Sequence, residues 1–251
     1  MVGFTALILA GRRAPTGDGL NGTQLKALMP ISGTPMIDRV IKTVSASKYV
    51  KRIIVSGPSS LGTWTNVTFV PTGTSPANSI LQFLENRTDN EPVFVTTADH
   101  PLLTTEMVDH FLSGAMKSDT DLVVGMVDKN LVKTKYATSR TGYKFRDGVW
   151  KSCNLFACMT PHVAKMVHFW QFVEKNRKKP LRVVRAFGLW TLISVLLGRW
   201  NLRQALSQAG ARIGITVEPV IMPWPEAAID VDTMDDKALA ESILDARPQL
   251  A

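Results

Sequence analysis

Two arginines of this chain, Arg12 and Arg13, follow an apolar run at a place where a strand would turn toward a ligand. The run covers residues 6–9 and is soon followed by Gly11, a pattern that indicates a buried strand and then a glycine turn. Such a loop offers backbone N–H groups and cationic side chains, which are the groups that bind a polyphosphate. The pattern therefore predicts an anion site here, against the simpler interpretation of a strand followed by a solvated basic loop.

Two aspartates also stand where apolar segments end. Asp99 follows residues 92–97, and Asp230 follows residues 227–229, with Asp232 two positions later. An aspartate at the carboxyl end of a parallel strand lies where open α/β sheets bind ligands. We expect Asp230 to end an apolar strand as well, where a buried carboxylate is costly without a metal ion or cation. The competing interpretation makes each aspartate a cap in front of a turn or helix.

The elements that position these residues alternate between strands and helices, which is typical of a parallel sheet built from βαβ units. Helices are predicted over residues 35–46, from Ser75-Pro76, from Thr160-Pro161, and after Thr233, which forms a capping box with Asp236. Strands are predicted at residues 50–55, 67–70, 92–97, 121–127, 153–159 and 213–221. A hairpin is predicted over residues 144–150, with its turn at Asp147-Gly148.

A longer motif connects the first strand to the first helix. Leu9-Ala10-Gly11, a basic loop, Lys26-Ala27-Leu28-Met29-Pro30 and Gly33-Thr34-Pro35-Met36 follow one another. This order resembles the MobA-like NTP transferases, a family related to molybdenum-cofactor guanylyltransferases. The resemblance implies an α/β protein with the three-layer α/β/α, Rossmann-like GT-A nucleotidyltransferase fold and a mostly parallel mixed sheet. It also implies one nucleotidyltransferase domain over residues 1–251, with a variable acceptor-side insert around residues 130–210.

The resemblance implies roles for the residues that match its motifs. The nucleotide would be bound by Leu9, Ala10, Gly11, Arg13 and Lys26. Arg12 replaces a glycine found in many members, which leaves Arg12 as the alternative phosphate ligand. Gly73 and Asn78 match base-contacting segments, although a loop and a helix cap explain them equally well. A catalytic Mg²⁺ would be held by Asp99 and Asp230, with Asp232 as the alternative to Asp230.

The activity implied by the resemblance is transfer of a nucleoside monophosphate from an NTP to a phosphorylated small-molecule acceptor. Lys26, Arg13 and Asp99 would be catalytic, Mg²⁺ the cofactor and pyrophosphate the second product. The base and the acceptor are left open. One alternative is a GT-A glycosyltransferase, against which Lys26 argues because a sugar nucleotide has no γ-phosphate. The other is a non-catalytic basic protein that binds RNA or membrane; no specific nucleic acid is expected.

Composition sets wider limits on the function. The chain has 251 residues, of which 45% are hydrophobic and 20% are charged, and a formal net charge of +8. That surplus suits anionic ligands without choosing among them. The N-terminus lacks a signal peptide's basic region, so we expect a cytoplasmic protein. Cys153 and Cys158 have no zinc-ligand partner set, and we expect them to be reduced and partly buried.

A basic segment at residues 175–185 contains six lysines and arginines and precedes the apolar residues 187–200. The apolar stretch is shorter than the ~20 residues of a membrane-spanning helix. One interpretation is a helix packed on the core with a solvated basic lead-in. The others are a border of an anionic-acceptor site or weak contact with an anionic membrane surface.

Overall fold

The computed structural model describes residues 3–11, 25–136, 142–176 and 199–247. The strands are β1 (Phe4–Leu9), β2 (Pro30–Ile31), β3 (Thr34–Pro35), β4 (Val50–Ser56), β5 (Val67–Val70), β6 (Val93–Thr97), β7 (Leu122–Asp128), β8 (Tyr143–Phe145), β9 (Gly148–Cys158) and β10 (Val217–Ile221). The helices are α1 (Met36–Ser45), α2 (Pro76–Asn86), α3 (Thr105–Met116), α4 (Lys129–Lys135), α5 (Ala164–Asn176), α6 (Leu202–Ile213) and α7 (Met234–Asp245).

Within the described residues, eight strands form one sheet in the order β10-β7-β9-β6-β1-β4-β5, with β8 paired to β9. The four strands β5, β4, β1 and β6 are parallel neighbours, and β10 is parallel to β7. Strand β9 is antiparallel to each of its three neighbours, β6, β7 and β8. The mostly parallel mixed sheet implied by the sequence resemblance is therefore confirmed.

Helices cover both faces of this sheet because its strands alternate their apolar side chains between two cores. In β1, Phe4, Ala6 and Ile8 face the core beneath α1, α3 and α4, and Leu7 faces the core beneath α2, α5 and α6. The last helix, α7, packs in a third cluster with the short β2–β3 hairpin. The result is the expected three-layer arrangement, with α7 and the hairpin added beside it.

The strand order reverses between β1 and β6, and this reversal locates the crevice where open α/β sheets bind ligands. From β1 the chain continues outward to β4 and β5, and then returns to place β6 on the other side of β1. Leu9 is opposite Thr97 in the register, and Ala98 N–H donates to the Leu9 carbonyl at 3.0 Å. The loops that leave β1 and β6 consequently start side by side.

Two predicted strands differ from the observed ones. The hairpin turn at Asp147-Gly148 is confirmed, but its second arm and the predicted strand 153–159 are the single strand β9, which bulges opposite Gly125. The predicted strand 213–221 is wrong over its first four residues. Ile213 ends α6, and Gly214 caps that helix in the left-handed conformation with φ of 77°, the usual role of a glycine just past a helix end.

Both cysteines are buried and free, Cys153 against one face of the sheet and Cys158 against the other. Burial raises the pKa of Cys158 to about 12 and raises that of Cys153 further. Thiolate is the reactive form. We therefore expect neither thiol to react with Ellman's reagent at pH 8 in the native protein, and both to react after unfolding in urea. Stoichiometric reaction of the native protein would contradict the burial described here.

The basic segment at residues 175–185 and the apolar stretch after it fall almost entirely outside the described residues, so their interpretation remains a prediction. Among the helices that the structure describes, none combines the length and the apolar character needed to cross a membrane.

Candidate active site

Three segments distant in sequence meet at the carboxyl edge of the sheet, where β1 and β6 end. The turn Lys26–Leu28 comes from the long loop after β1, Asp99 comes two residues after β6, and residues 228–232 follow β10. Val231 N–H donates to the Asp99 carbonyl oxygen at 2.9 Å, which attaches the third segment to the second. The fold thus assembles one cluster of charged side chains at its ligand-binding edge.

Lys26 is the centre of this cluster. Its 3₁₀ turn is held by Met29 N–H, which donates to the Lys26 carbonyl at 3.0 Å, while Ala27 packs into the core beneath α1. The side chain is only 4% exposed, and its Nζ lies 2.5 Å from Asp99 Oδ2 and 2.7 Å from Asp232 Oδ1. A lysine in this position is a buried cation at the point where the two carboxylates converge.

Asp99 is ionised at neutral pH although it is largely buried. Burial alone would raise the pKa of this carboxyl group, but the Lys26 ammonium outweighs burial and holds that pKa below its usual value. The second carboxylate oxygen, Oδ1, is buried and makes no hydrogen bond of ordinary geometry among the described residues, and the nearby Thr97 hydroxyl also lowers the pKa of this carboxyl group. A desolvated carboxylate oxygen left in this state is a ready ligand for a cation.

Asp230 and Asp232 point to different lysines. The premise that Asp230 ends a strand is wrong, because the residues before it form the 3₁₀ turn Pro225–Ala228. Asp230 Oδ1 lies 3.4 Å from Lys151 Nζ, whereas Asp232 contacts Lys26. The predicted capping box at the start of α7 is confirmed, and its Asp236 accepts from Asp232 N–H at 3.0 Å. The structure therefore places Asp232 at the Lys26 cluster and Asp230 beside it.

The donor set at this cluster suits Mg²⁺. Magnesium is typically bound through one or two protein carboxylates, with phosphate oxygens and water completing an octahedron. Asp99 and Asp232 supply two carboxylates that contact the same ammonium group, and Oδ1 of Asp99 is buried without a hydrogen bond of ordinary geometry among the described residues. Within the described ranges, no group of three or more Asp, Glu, His or Cys forms a self-sufficient metal site. The chemistry fits a metal ion that binds together with a phosphate ligand.

Of the predicted phosphate-binding residues, Leu9, Ala10 and Gly11 lie at this same edge, while Arg12 and Arg13 are outside the described residues. Ala10 N–H donates to the Ser56 carbonyl oxygen at 2.9 Å, which continues the sheet hydrogen bonding to the last residue before the glycine. A Cβ on Gly11 would lie 2.1 Å from Thr72 Cγ2. A larger residue at this position would force the Thr72 side chain to move, because the β1 loop and the loop after β5 approach closely here.

Gly73 and Asn78, the predicted base contacts, are part of that neighbouring loop and hold it closed. Gly73 N–H donates to Ser79 Oγ at 2.9 Å, and Thr74 N–H donates to Asn78 Oδ1 at 3.1 Å. Ser75 caps α2, as the sequence predicts. Gly73 and Asn78 thus stabilise this loop, which lies against Gly11. Their contact with a nucleotide base remains a prediction.

Two residues of this region were not assigned a site role from the sequence. Lys151, in β9, contacts the segment that carries Asp230, and its only sequence signal is a position three residues past the hairpin glycine. His100 directly follows Asp99 and is buried.

Comparisons with known proteins add to this geometry. The model of the "MobA-like NTP transferase domain" matches residues 6–217. A search of curated proteins finds no match. A solved structure of a hypothetical transferase from Thermus thermophilus is 27% identical over 94% of this chain and 99% of that one, with a TM-score of 0.80.

Two enzymes with more distant sequences have a similar fold. A 4-diphosphocytidyl-2C-methyl-D-erythritol synthase from Anaerococcus prevotii is 15% identical, with coverage of 97% of this chain and 96% of that one and a TM-score of 0.58. A 2-C-methyl-D-erythritol 4-phosphate cytidylyltransferase from Francisella tularensis is 14% identical, with coverage of 95% and 99% and a TM-score of 0.56.

Proposed function

The chain belongs to the MobA-like NTP transferase family and is a nucleotidyltransferase, and from this premise we propose that it transfers a nucleoside monophosphate from an NTP to a phosphorylated small molecule. These comparisons confirm the family and the GT-A-like fold that the sequence resemblance implied. The observation that carries the proposal is the contact of the Lys26 ammonium group with both Asp99 and Asp232, near the place where the strand order reverses. Neither the glycosyltransferase nor the non-catalytic alternative agrees with the family assignment.

In the proposed reaction, an oxygen of the acceptor's phosphate attacks the α-phosphorus of the NTP. A new P–O bond forms as the bond between the α-phosphorus and the bridging oxygen breaks, and pyrophosphate leaves with the electron pair. The protein supplies position and charge rather than a covalent intermediate. The glycine turn at Gly11 brings the backbone close to the nucleotide, and Lys26 balances the charge that develops on the leaving pyrophosphate.

Asp99 and Asp232 are the residues that would hold Mg²⁺, which when bound neutralises phosphate charge and polarises the phosphoryl oxygens. This assignment replaces Asp230 with the alternative that the sequence left open. It rests on the shared contact of Asp99 and Asp232 with a single nitrogen, whereas Asp230 is engaged by Lys151. Arg13, with Arg12 as its alternative, keeps its predicted phosphate role.

A thermal-shift panel with ATP, GTP, CTP and UTP, each in Mg²⁺ or EDTA, tests the first half of the proposal. A nucleotide present at ~100 times its Kd adds roughly 2.7 kcal/mol to the free energy of unfolding. For a chain of this size, that gain corresponds to a Tm increase of roughly 5–10 °C. We expect one base to give the largest shift, and Mg²⁺ to be required for the full effect.

Pyrophosphate release with that NTP and a panel of phosphorylated acceptors tests the second half. The names of the structural relatives make CTP with an alditol phosphate the first combination to try. Sugar phosphates, pterin phosphates and lipid-linked phosphates complete the panel. The absence of stabilisation by all four NTPs, together with no pyrophosphate from any pair, would contradict the proposal.

A further inference from the structure

Lys151 is a second largely buried lysine at the carboxyl edge of the sheet. It lies opposite Val127 near the carboxyl end of β7, and its side chain is 15% exposed. Its Nζ donates to the Ala228 carbonyl oxygen and lies 3.4 Å from Asp230 Oδ1, itself 17% exposed. Through these contacts one ammonium group engages a backbone carbonyl and a side chain two residues apart on the segment after β10.

That same segment carries Asp232, and its other contacts lead into the proposed active site. Val231 N–H donates to the Asp99 carbonyl at 2.9 Å, and Asp232 Oδ1 accepts from Lys26 at 2.7 Å. Residues 228–232 have neither helical nor strand hydrogen bonding beyond the 3₁₀ turn that ends at Ala228. Lys151, in β9, therefore contributes contacts that fix residues 228–232, a task that backbone hydrogen bonds perform within a helix or strand.

We propose that Lys151 is a positioning residue that, together with Asp230, holds residues 228–232 so that Asp232 meets Lys26 and the bound nucleotide's metal ion. The two aspartates of the Asp-x-Asp motif then have different tasks. Asp230 anchors the segment to β9, and Asp232 acts in the site. This inference rests on the proposed function, since it assigns a role to a neighbour of the same site.

The burial of the Lys151–Asp230 ion pair favours a positioning role for Lys151 over a role in stabilising the fold. A buried ion pair contributes little net stability, because desolvation of its two members offsets most of their attraction. Such a pair does restrict geometry, and displacing a catalytic group by about 1 Å is costly for the rate. Partners that orient the ligands of a metal ion typically change metal affinity or activity by about 10–100-fold when removed.

The test is a double-mutant cycle on binding of the NTP that gives the largest thermal shift, measured by calorimetry in Mg²⁺ and in EDTA. The variants are Lys151→Met, Lys151→Met/Asp230→Asn, Asp232→Asn and Lys151→Met/Asp232→Asn. The second variant also neutralises the carboxylate that faces Lys151. We expect Lys151→Met, with or without Asp230→Asn, to weaken binding in Mg²⁺ by about 10–100-fold and to leave binding in EDTA unchanged.

The decisive result is whether the effect of Lys151→Met on binding depends on the presence of Asp232. If Lys151 acts through Asp232, Lys151→Met has no further effect once Asp232→Asn is present. Lys151→Arg should retain most of the affinity, because it keeps a cation that can donate to both partners. Additive losses, or an equal loss in EDTA, would overturn the inference, as would unchanged binding in Mg²⁺.

Lys165→Met is the matched control. Lys165 Nζ also donates to a backbone carbonyl, that of Gly214 at 3.3 Å, but it does so just before β10 begins, at the opposite edge of the sheet. This variant should bind the Mg²⁺–nucleotide complex as the wild type does. A wild-type protein that binds no NTP would contradict the proposed function itself, whereas normal binding by both wild type and the Lys151 variants would contradict only this inference.

Discussion

Asp99→Asn is expected to lower the rate of nucleotidyl transfer by at least ~10³-fold, a loss of about 4 kcal/mol of transition-state stabilisation. The substitution keeps the shape of the side chain but removes the negative charge that faces Lys26. It also replaces one of the two carboxylate oxygens available to a cation with an amide N–H₂ group. Pyrophosphate release with the identified NTP and acceptor measures the effect.

The fold should survive this change, because Lys26 retains Asp232 at 2.7 Å and the backbone bond from Val231 to Asp99 is untouched. Urea unfolding checks that expectation. Asp232→Asn should be of comparable severity, while Asp230→Asn should be milder, since its partner Lys151 keeps the Ala228 carbonyl. Near-wild-type turnover by Asp99→Asn would remove this aspartate from the mechanism, and equal losses at Asp230 and Asp232 would contradict their different roles.

Lys26→Met is expected to lower kcat/KM for the NTP by at least ~100-fold, because it removes the buried cation that would balance the triphosphate. Lys26→Arg should restore only part of the loss, since a planar guanidinium does not replace a compact ammonium. Steady-state kinetics with varied NTP measures both variants. Unchanged NTP kinetics in Lys26→Met would exclude the phosphate role.

Lys26→Met should also destabilise the protein, which separates it from Asp99→Asn. Two carboxylates would face each other without the cation between them, at a cost of about 3 kcal/mol, the lower end for a broken buried pair because Asp232 is 39% exposed. The double variant Lys26→Met/Asp99→Asn should regain stability but not activity. Free energies of unfolding from urea titrations provide this comparison.

The stability deficit of Lys26→Met should depend on pH in a defined direction. In the wild type, Lys26 lowers the pKa of Asp99, so ionised Asp99 adds stability above pH ~4, and this contribution is lost as the pH falls through the lowered pKa. Without Lys26, burial raises that pKa and ionised Asp99 costs stability at neutral pH. The difference between the two proteins should therefore shrink as the pH falls from 7 toward 4.

The sequence predicted the parts of this protein that depend on local patterns. The strand 67–70 and the Ser75 and Thr233 caps are confirmed as predicted, because each depends on neighbouring residues. Asp99 was placed correctly at the ligand-binding edge because a parallel strand directly precedes it. The start of β10 was placed too early because Ile213 and Ile215 flank Gly214, and only the three-dimensional helix end distinguishes this glycine from a strand residue.

The choice between Asp230 and Asp232 could not be made from the sequence. Both are acidic, both follow the same apolar residues, and they are separated by one position. What distinguishes them is a lysine in each case, Lys151 for the first and Lys26 for the second, at sequence separations of 79 and 206 residues. No local pattern reports such distant partners.

The sequence separation of the Lys26–Asp232 contact also determines when the cluster can form during translation. Lys26 and Asp99 leave the ribosome early, and the four parallel strands from β5 to β6 that carry their segments need only the first 97 residues. Asp232 follows β7, β9 and β10 in the sequence, so it is synthesised only after those three strands. A nascent chain that stops before residue 232 contains Lys26 and Asp99 but lacks the second carboxylate that contacts Lys26. Complete assembly of the charged cluster is thus delayed until more than nine-tenths of the 251 residues have been synthesised.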